Sequence, residues 1–172
     1  MNTEILNRHL FSAVTRAYAI LDCAGAPDLT MKLYEMRPPH YCLFTGELEP
    51  DMIAVAPYLV RLQPRTPFAE WALRECWGKN CAIFMHSLKT LEDMRTHFRS
   101  LVTVYDEKGD PLMFRYYDPR VLRRYLPTCN AGELKIFFGE TDAFFAESED
   151  GNNLTQFKIG EGGLDETALP VQ

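Results

Sequence analysis

The stretch that decides the fold joins a run of large side chains to the start of a helix. It reads Phe114-Arg115-Tyr116-Tyr117-Asp118-Pro119-Arg120-Val121-Leu122. Its first four residues predict the end of a strand, and Asp118 followed by Pro119 predicts a helix start. An aspartate there accepts hydrogen bonds from the free N–H groups of the first turn, and a proline at the next position lacks a donor that would stay unpaired. We therefore expect a rigid strand-to-helix junction with the Asp118 carboxylate within reach of two arginines, Arg115 and Arg120.

The length and composition predict one globular domain. The chain has 172 residues, of which 47% are hydrophobic and 24% are charged. That balance is typical of an ordinary globular protein, and the chain is too short for two domains that each bury a sufficient hydrophobic core. We expect the domain to span residues 1–160. Residues 161–172 are rich in glycine and acidic side chains, so we expect them to form a flexible C-terminal tail.

Charge and hydropathy exclude several classes of protein. The net charge of −6 argues against a general nucleic-acid-binding protein, whose affinity depends on a basic surface. The first ten residues lack the apolar core of a signal peptide, and no apolar run approaches the roughly 20 residues that cross a bilayer. We therefore expect a cytoplasmic protein with no nucleic-acid or membrane partner. The five cysteines are an odd number in apolar surroundings, so we expect free thiols.

Apolar runs and helical patterns alternate along the first half of the chain. The run from Ala17 to Leu21 is continuously apolar, which predicts a strand covered on both faces. The alternation of strands and helices as far as Met85 favours some parallel strands. Two hairpin patterns, over 102–117 and 141–159, add antiparallel strands. The sequence therefore predicts an α/β fold, with a single domain in which helices flank a mixed central sheet.

The sequence contains no recognisable catalytic motif. It has no glycine-rich phosphate loop, no nucleophile elbow and no pair of histidines at the spacing of a helical metal site. We therefore expect no catalytic residue, no cofactor and no metal. Asp22 alone resembles a catalytic carboxylate, because open α/β sheets bind ligands beyond the ends of their strands. An alternative hypothesis is a small hydrolase or transferase with a cleft around Asp22, assisted by His86 or Asp118. A self-associating structural module is a third.

Four stretches of the sequence together resemble the bacterial type VI secretion effector chaperones, also called Tap/Tec-like adaptor proteins. The stretches are Tyr18–Asp22, Ala56–Val60, Pro67–Trp71 with Trp77-Gly78, and Phe114–Val121. The last is the most specific. The resemblance implies a non-enzymatic cytoplasmic adaptor that binds a type VI effector protein. It also implies that the adaptor promotes loading of the effector onto the VgrG or PAAR component of the secretion spike.

The resemblance also marks a signature motif, which comprises Arg115, Tyr117, Asp118 and Arg120. For partner binding we expect an exposed apolar patch with an arginine rim, the composition enriched at protein interfaces. The candidate rim residues are Arg120, Arg123 and Arg124, which lie on the helix that the motif opens. Many members of the family continue into a variable, helix-rich C-terminal lobe, whereas this sequence ends at Gln172.

Overall fold

The computed structural model describes residues 2–11 and 14–172, which form seven α-helices, nine strands and one 3₁₀ turn. The helices are α1 (Thr3–Leu10), α2 (Leu29–Met36), α3 (Pro50–Ile53), α4 (Pro67–Cys76), α5 (Leu91–Leu101), α6 (Pro119–Tyr125) and α7 (Ala131–Phe138). The strands are β1 (Arg16–Asp22), β2 (His40–Cys42), β3 (Pro57–Leu62), β4 (Ala82–Ser87), β5 (Thr103–Tyr105), β6 (Pro111–Met113), β7 (Ala143–Glu147), β8 (Asn153–Gly160) and β9 (Gly163–Pro170). The 3₁₀ turn, Leu126–Thr128, follows α6.

Seven strands form one sheet in the order β2-β3-β1-β4-β7-β8-β9, while β5 and β6 form a separate hairpin. The predicted class, a single central sheet flanked by helices, is confirmed. The predicted parallel strands are wrong, because every pairing between described strands is antiparallel. β3 and β4, which α4 connects, do run in the same direction, but β1 lies between them. The helical crossover therefore joins strands that are two positions apart in the sheet.

The sheet separates two hydrophobic layers, and β1 contributes to both. Ala19 and Leu21 face the layer formed with α1, α2 and α4, whereas Tyr18 and Ile20 face the layer formed with α5, α6 and α7. Consecutive side chains of a strand point to opposite faces, so a strand with helices on both sides is apolar throughout. The prediction that this strand is buried on both faces is therefore confirmed.

The junction before α6 differs from the prediction. β6 ends at Met113, and residues 114–118 form a turn instead of the last part of a strand. The two central tyrosines are both buried there, although strand alternation would have placed them on opposite faces. Tyr116 stacks with Phe98 and meets Phe137 edge-on, and its hydroxyl donates to the Phe98 carbonyl at 2.9 Å. This packing in the core replaces the strand pairing that would have continued the hairpin.

The predicted flexible tail at residues 161–172 is also wrong. Its residues form β9, which pairs with β8 along the whole length from Asn153↔Pro170 to Gly160↔Gly163. Val171, just beyond the strand, is completely buried, and its carbonyl accepts a hydrogen bond from the Asn2 backbone N–H. The segment is polar because β9 is an edge strand with largely exposed side chains. Low hydrophobicity thus reflects an edge position and not disorder.

Candidate functional site: the signature turn and the arginine groove

The turn between β6 and α6, residues 114–118, which we call the signature turn, is fixed to the end of β1 by an ion pair. The Arg115 Nη2 atom donates to Asp22 Oδ2 at 2.5 Å, and the Ala24 backbone N–H donates to Asp22 Oδ1 at 3.0 Å. The Asp22 side chain is only 2% exposed, whereas that of Arg115 is 45% exposed. The hydrogen bond to Asp22 raises the pKa of Arg115, against the opposing effect of burial. Both carboxylate oxygens of Asp22 are therefore engaged within the fold.

Asp118 caps α6 and pairs with Arg120. Its Oδ1 accepts from the Arg120 backbone N–H at 2.9 Å and from Arg120 Nε at 3.0 Å, while Oδ2 accepts from Arg120 Nη2 at 2.6 Å. Burial by itself raises the pKa of Asp118, but the hydrogen bonds from Arg120 outweigh it and hold the pKa below its usual value. The predicted cap is confirmed. Of the two arginines expected near this carboxylate, Arg120 hydrogen-bonds to it and Arg115 pairs with Asp22.

Tyr117 is the fully buried member of the signature motif. Burial first, and then the nearby Asp22 carboxylate, raise the pKa of Tyr117 to about 12, although Arg115 opposes the rise. The Arg115 guanidinium lies 6.0 Å from the centre of the Tyr117 ring. Tyr117 and Asp118 thus hold the turn together from inside, while the arginine side chains lie at the surface.

Arg120, Arg123 and Arg124, the predicted partner-binding residues, line one groove. The structure brings them together along α6 in a groove of about 710 Å³, which we call the arginine groove. Its other lining residues are Asn80, Asp118, Val121 and Glu149. Arg120 is committed to Asp118, and Arg123 Nη1 donates to the Glu147 carbonyl. Arg124 is exposed and makes no ion pair with any residue that the structure describes. The three arginines outnumber the two carboxylates, so the groove can accept an anionic group.

One wall of the arginine groove is held in place by a buried carboxylate, Glu147, which the sequence analysis did not identify. Glu147 ends β7 and is buried, and its side-chain oxygens accept from the Gly78 backbone N–H and from the Asn80 backbone N–H, the latter at 2.6 Å. These bonds fix the loop that carries Asn80 into the groove. The sequence signal for it is the position of Glu147 directly after the apolar run Ala143–Ala146, at the end of a strand that the pattern predicts to be buried.

An exposed apolar hairpin precedes the signature turn. Its four large apolar side chains are 40 to 70% exposed, and they are Val104, Tyr105, Leu112 and Met113. We call them the hairpin patch. Val104 pairs directly with Leu112, so the two side chains lie together on one face. Tyr105 and Met113 lie on the opposite face of the hairpin. An isolated two-stranded hairpin is only marginally stable in water, and exposed apolar surface often marks an interface.

The residues of the alternative enzymatic hypothesis do not converge. His86 pairs with Ala17 near the start of β1, whereas Asp22 is at the other end of that strand. Ala17 and Asp22 are five residue steps apart along an extended strand, which separates them by roughly 16 Å. The His86 Nε2 atom lies 2.7 Å from the Leu10 carbonyl, so the imidazole is engaged with α1. Asp22 and Asp118 both lie near Arg115, but Asp22 is paired with Arg115 and Asp118 is paired with Arg120.

Other chemical features are few in the described part of the chain. Across residues 2–11 and 14–172, no three histidine, cysteine, aspartate or glutamate side chains lie close enough together to hold a metal ion. All five cysteines are free thiols. No helix within these residues combines the length and the apolar character needed to cross a membrane.

The sequence belongs to a family of domains of unknown function, DUF4123, whose family model matches residues 17–135. The matched region begins in β1 and ends in α7, so it contains Asp22, the hairpin patch, the signature turn and the arginine groove residues of α6. Neither the curated proteins nor the solved structures contain a match to this chain.

Proposed function

We propose that this protein is a non-enzymatic cytoplasmic adaptor that binds a type VI secretion effector and promotes its loading onto the VgrG or PAAR component of the spike. One structural observation carries the proposal. The hairpin patch and the arginine groove adjoin the same signature turn, and all three lie within the family match except for Glu149 of the groove wall. The resemblance of four sequence stretches, of which Phe114–Val121 is the most specific, to the Tap/Tec-like adaptors supplies the identity of the partners.

The chemistry of this surface suits protein binding. Interfaces concentrate their energy in a few aromatic, aliphatic and arginine side chains, with a polar rim around an apolar centre. Tyr105 and Met113 supply the apolar area, and Arg124 supplies a guanidinium that is not engaged within the described fold. Arginine offers several donors in a planar fork, which suits carboxylates and backbone carbonyls of a partner.

The absence of enzymatic activity is part of the same proposal. Asp22 and Asp118, the two carboxylates at the signature turn, each accept hydrogen bonds from an arginine and from a backbone N–H. A general acid or base must instead reach a substrate proton at hydrogen-bond distance. The signature motif is therefore better suited to holding the turn in shape for a partner.

The test is a pull-down of the full chain from the native cytoplasm, followed by mass spectrometry. We expect the wild-type protein to retain a toxin-like polypeptide or a spike component, and the R120E/R123E/R124E variant to lose it. Because Arg120 and Arg123 also bind within the fold, the single variant R124E is included and thermal melting is measured for each. Arg74→Glu on α4 is the matched control, since Arg74 is an exposed arginine that does not line the groove. Failure of the wild type to retain either partner, or full retention by both groove variants, would contradict the proposal.

A further inference from the structure

A second cationic pocket lies at the opposite end of β1 from the signature turn. It has a volume of about 650 Å³ and is formed by α1, the start of β1 and the segment that follows β3. Its lining includes four arginines, which are Arg8, Arg16, Arg61 and Arg65. Glu4 is the only carboxylate among the described lining residues. The pocket is therefore strongly positive in a chain whose net charge is −6.

Two of these arginines are engaged within the fold and two are not. Arg8 forms an ion pair with Glu4 at 3.0 Å, and Arg16 donates to the backbone carbonyls of Leu88 and Lys89. The side chains of Arg61 and Arg65 form no hydrogen bond or ion pair with any described residue. The Arg65 backbone has a φ of 60°, a conformation that is uncommon for a residue with a side chain and that clusters at functional segments.

Two buried polar atoms in the same pocket also have no hydrogen-bond partner among the described residues. They are Asn7 Oδ1 and Thr15 Oγ1. The Asn7 Nδ2 atom donates to the Thr3 carbonyl at 2.9 Å, which fixes the amide and leaves its oxygen as a free acceptor. Buried polar atoms without partners are rare, and each calls for an explanation such as a bound ligand. A ligand that supplies an N–H donor to Asn7 Oδ1 and an acceptor to the Thr15 hydroxyl would satisfy both atoms.

We propose that this pocket, the Arg61/Arg65 pocket, binds an acidic peptide segment of a partner protein. An aspartate or glutamate side chain pairs with Arg61 and Arg65 and accepts from the Thr15 hydroxyl. A backbone N–H of the segment donates to Asn7 Oδ1. A neighbouring apolar side chain packs on Phe11, the aromatic residue of the lining.

The inference rests on the proposed function only in taking the partner to be a polypeptide. The pocket is separate from the arginine groove, because Ala17 lines the pocket and Asp22 anchors the signature turn, five residue steps further along the strand. That distance is roughly 16 Å, so one short peptide does not need to reach both sites. The two surfaces therefore fit two different segments of partner.

The experiment is a titration of the labelled full chain followed by NMR of its arginine side-chain Nε–Hε groups. The probe is the capped peptide Gly-Leu-Asp-Leu-Glu-Gly, its matched neutral control is Gly-Leu-Asn-Leu-Gln-Gly, and inorganic phosphate is the third ligand. We expect saturable shifts at Arg61 and Arg65 with the acidic peptide alone. The R61Q/R65Q variant should bind it roughly tenfold more weakly, because two charge pairs are lost. The R124E variant should bind as the wild type does, which separates this result from failure of the arginine groove.

Three outcomes would overturn the inference. Equal binding of the neutral peptide would show that the arginines do not select charge. Equal shifts with phosphate would identify a general anion site and exclude a peptide-specific one. The absence of a saturable shift up to about 5 mM acidic peptide would mean that the affinity is weaker than that of ordinary weak complexes. It would show that the pocket does not bind such a segment.

Discussion

Arg115 Nη2 lies 2.5 Å from Asp22 Oδ2, which ties the turn after β6 to the end of β1 across 93 residues of sequence. The carboxylate is buried and the guanidinium is half exposed. A buried carboxylate requires a compensating charge or hydrogen bonds, since its transfer out of water is otherwise costly. The ion pair therefore fixes where the signature turn sits on the sheet.

Replacement of Arg115 by alanine is expected to destabilise the protein by about 2–3 kcal/mol, because it leaves the buried Asp22 carboxylate without its cationic partner. The double variant D22N/R115A should recover part of this loss, since the neutral amide no longer requires a cation. Urea unfolding at neutral pH measures the free energy of unfolding for each protein.

The matched control is Arg74→Ala, which removes an arginine whose partner Glu75 is 41% exposed. Exposed pairs contribute about 0–1 kcal/mol, so this variant should remain close to wild type. Equal losses for Arg74→Ala and Arg115→Ala would show that the Asp22 ion pair has no special role.

The charge of Asp118 is expected to stabilise the fold in a pH-dependent way. Its pKa is held below the ordinary value by Arg120, so the unfolded state binds the proton more tightly than the folded state. The stabilisation is therefore complete above the ordinary aspartate pKa of 3.8 and is lost as pH falls through the lower folded pKa. The variant D118N retains a capping side chain but lacks the charge.

The measurement compares the free energy of unfolding of wild type and D118N at pH 6 and near pH 3. We expect the wild type to be more stable by about 1–2 kcal/mol at the higher pH, with a smaller difference at the lower pH. A difference that stays constant with pH would contradict the assignment of the effect to the Asp118 charge.

Helix starts were predictable from the sequence because caps act over three or four residues. Asp118 caps α6 as the local pattern predicted, and Thr66 and Asn130 cap α4 and α7 in the same way. Asp28 occupies the position before α2 but its side chain makes no capping hydrogen bond. The residue type therefore predicts where a helix starts more reliably than how its free N–H groups are satisfied.

Partners that are distant in sequence were not predictable. Both Arg115 and Arg120 flank Asp118, and only the packing of the turn decides that Arg115 reaches Asp22. Strand direction was not predictable for the same reason, because the helical crossover from β3 to β4 does not reveal that β1 lies between them. The arginine groove combines a local feature that the sequence predicts with a distant contact that it does not predict. Its three arginines share one short helix and could be named from sequence, whereas the Asn80 wall depends on Glu147, 67 residues away from Asn80.

His86 is expected to weaken the fold at acidic pH. Burial, and to a lesser degree the nearby Lys158 charge, lower its pKa, while the hydrogen bond to Leu10 and the Asp142 carboxylate act in the opposite sense. The unfolded state therefore takes up a proton more readily than the folded state as pH falls through the ordinary histidine value of 6.5. Stability that is present above pH 6.5 declines below it.

The comparison uses H86Q, whose amide can still donate to the Leu10 carbonyl but does not titrate. Urea midpoints at pH 7.5 and 5.5 should fall further for the wild type than for H86Q, because the other histidines are common to both proteins. Parallel shifts of the two midpoints would show that His86 protonation is not linked to folding.

Deletion of residues 161–172 is expected to destabilise the protein by at least about 3 kcal/mol, because the burial of Val171 and the cover over β8 are both lost. Leu154 and Phe157 of β8 are completely buried in the intact chain, and β9 supplies the pairing along that strand. A flexible tail could be removed without loss of stability. Hydrogen exchange of β8 amides and urea unfolding measure the effect, with the variant E166Q as the control because Glu166 is exposed on β9. Unchanged stability after deletion would show that β9 contributes nothing to the core, and unchanged protection of the β8 amides would show that its pairing is not formed in solution.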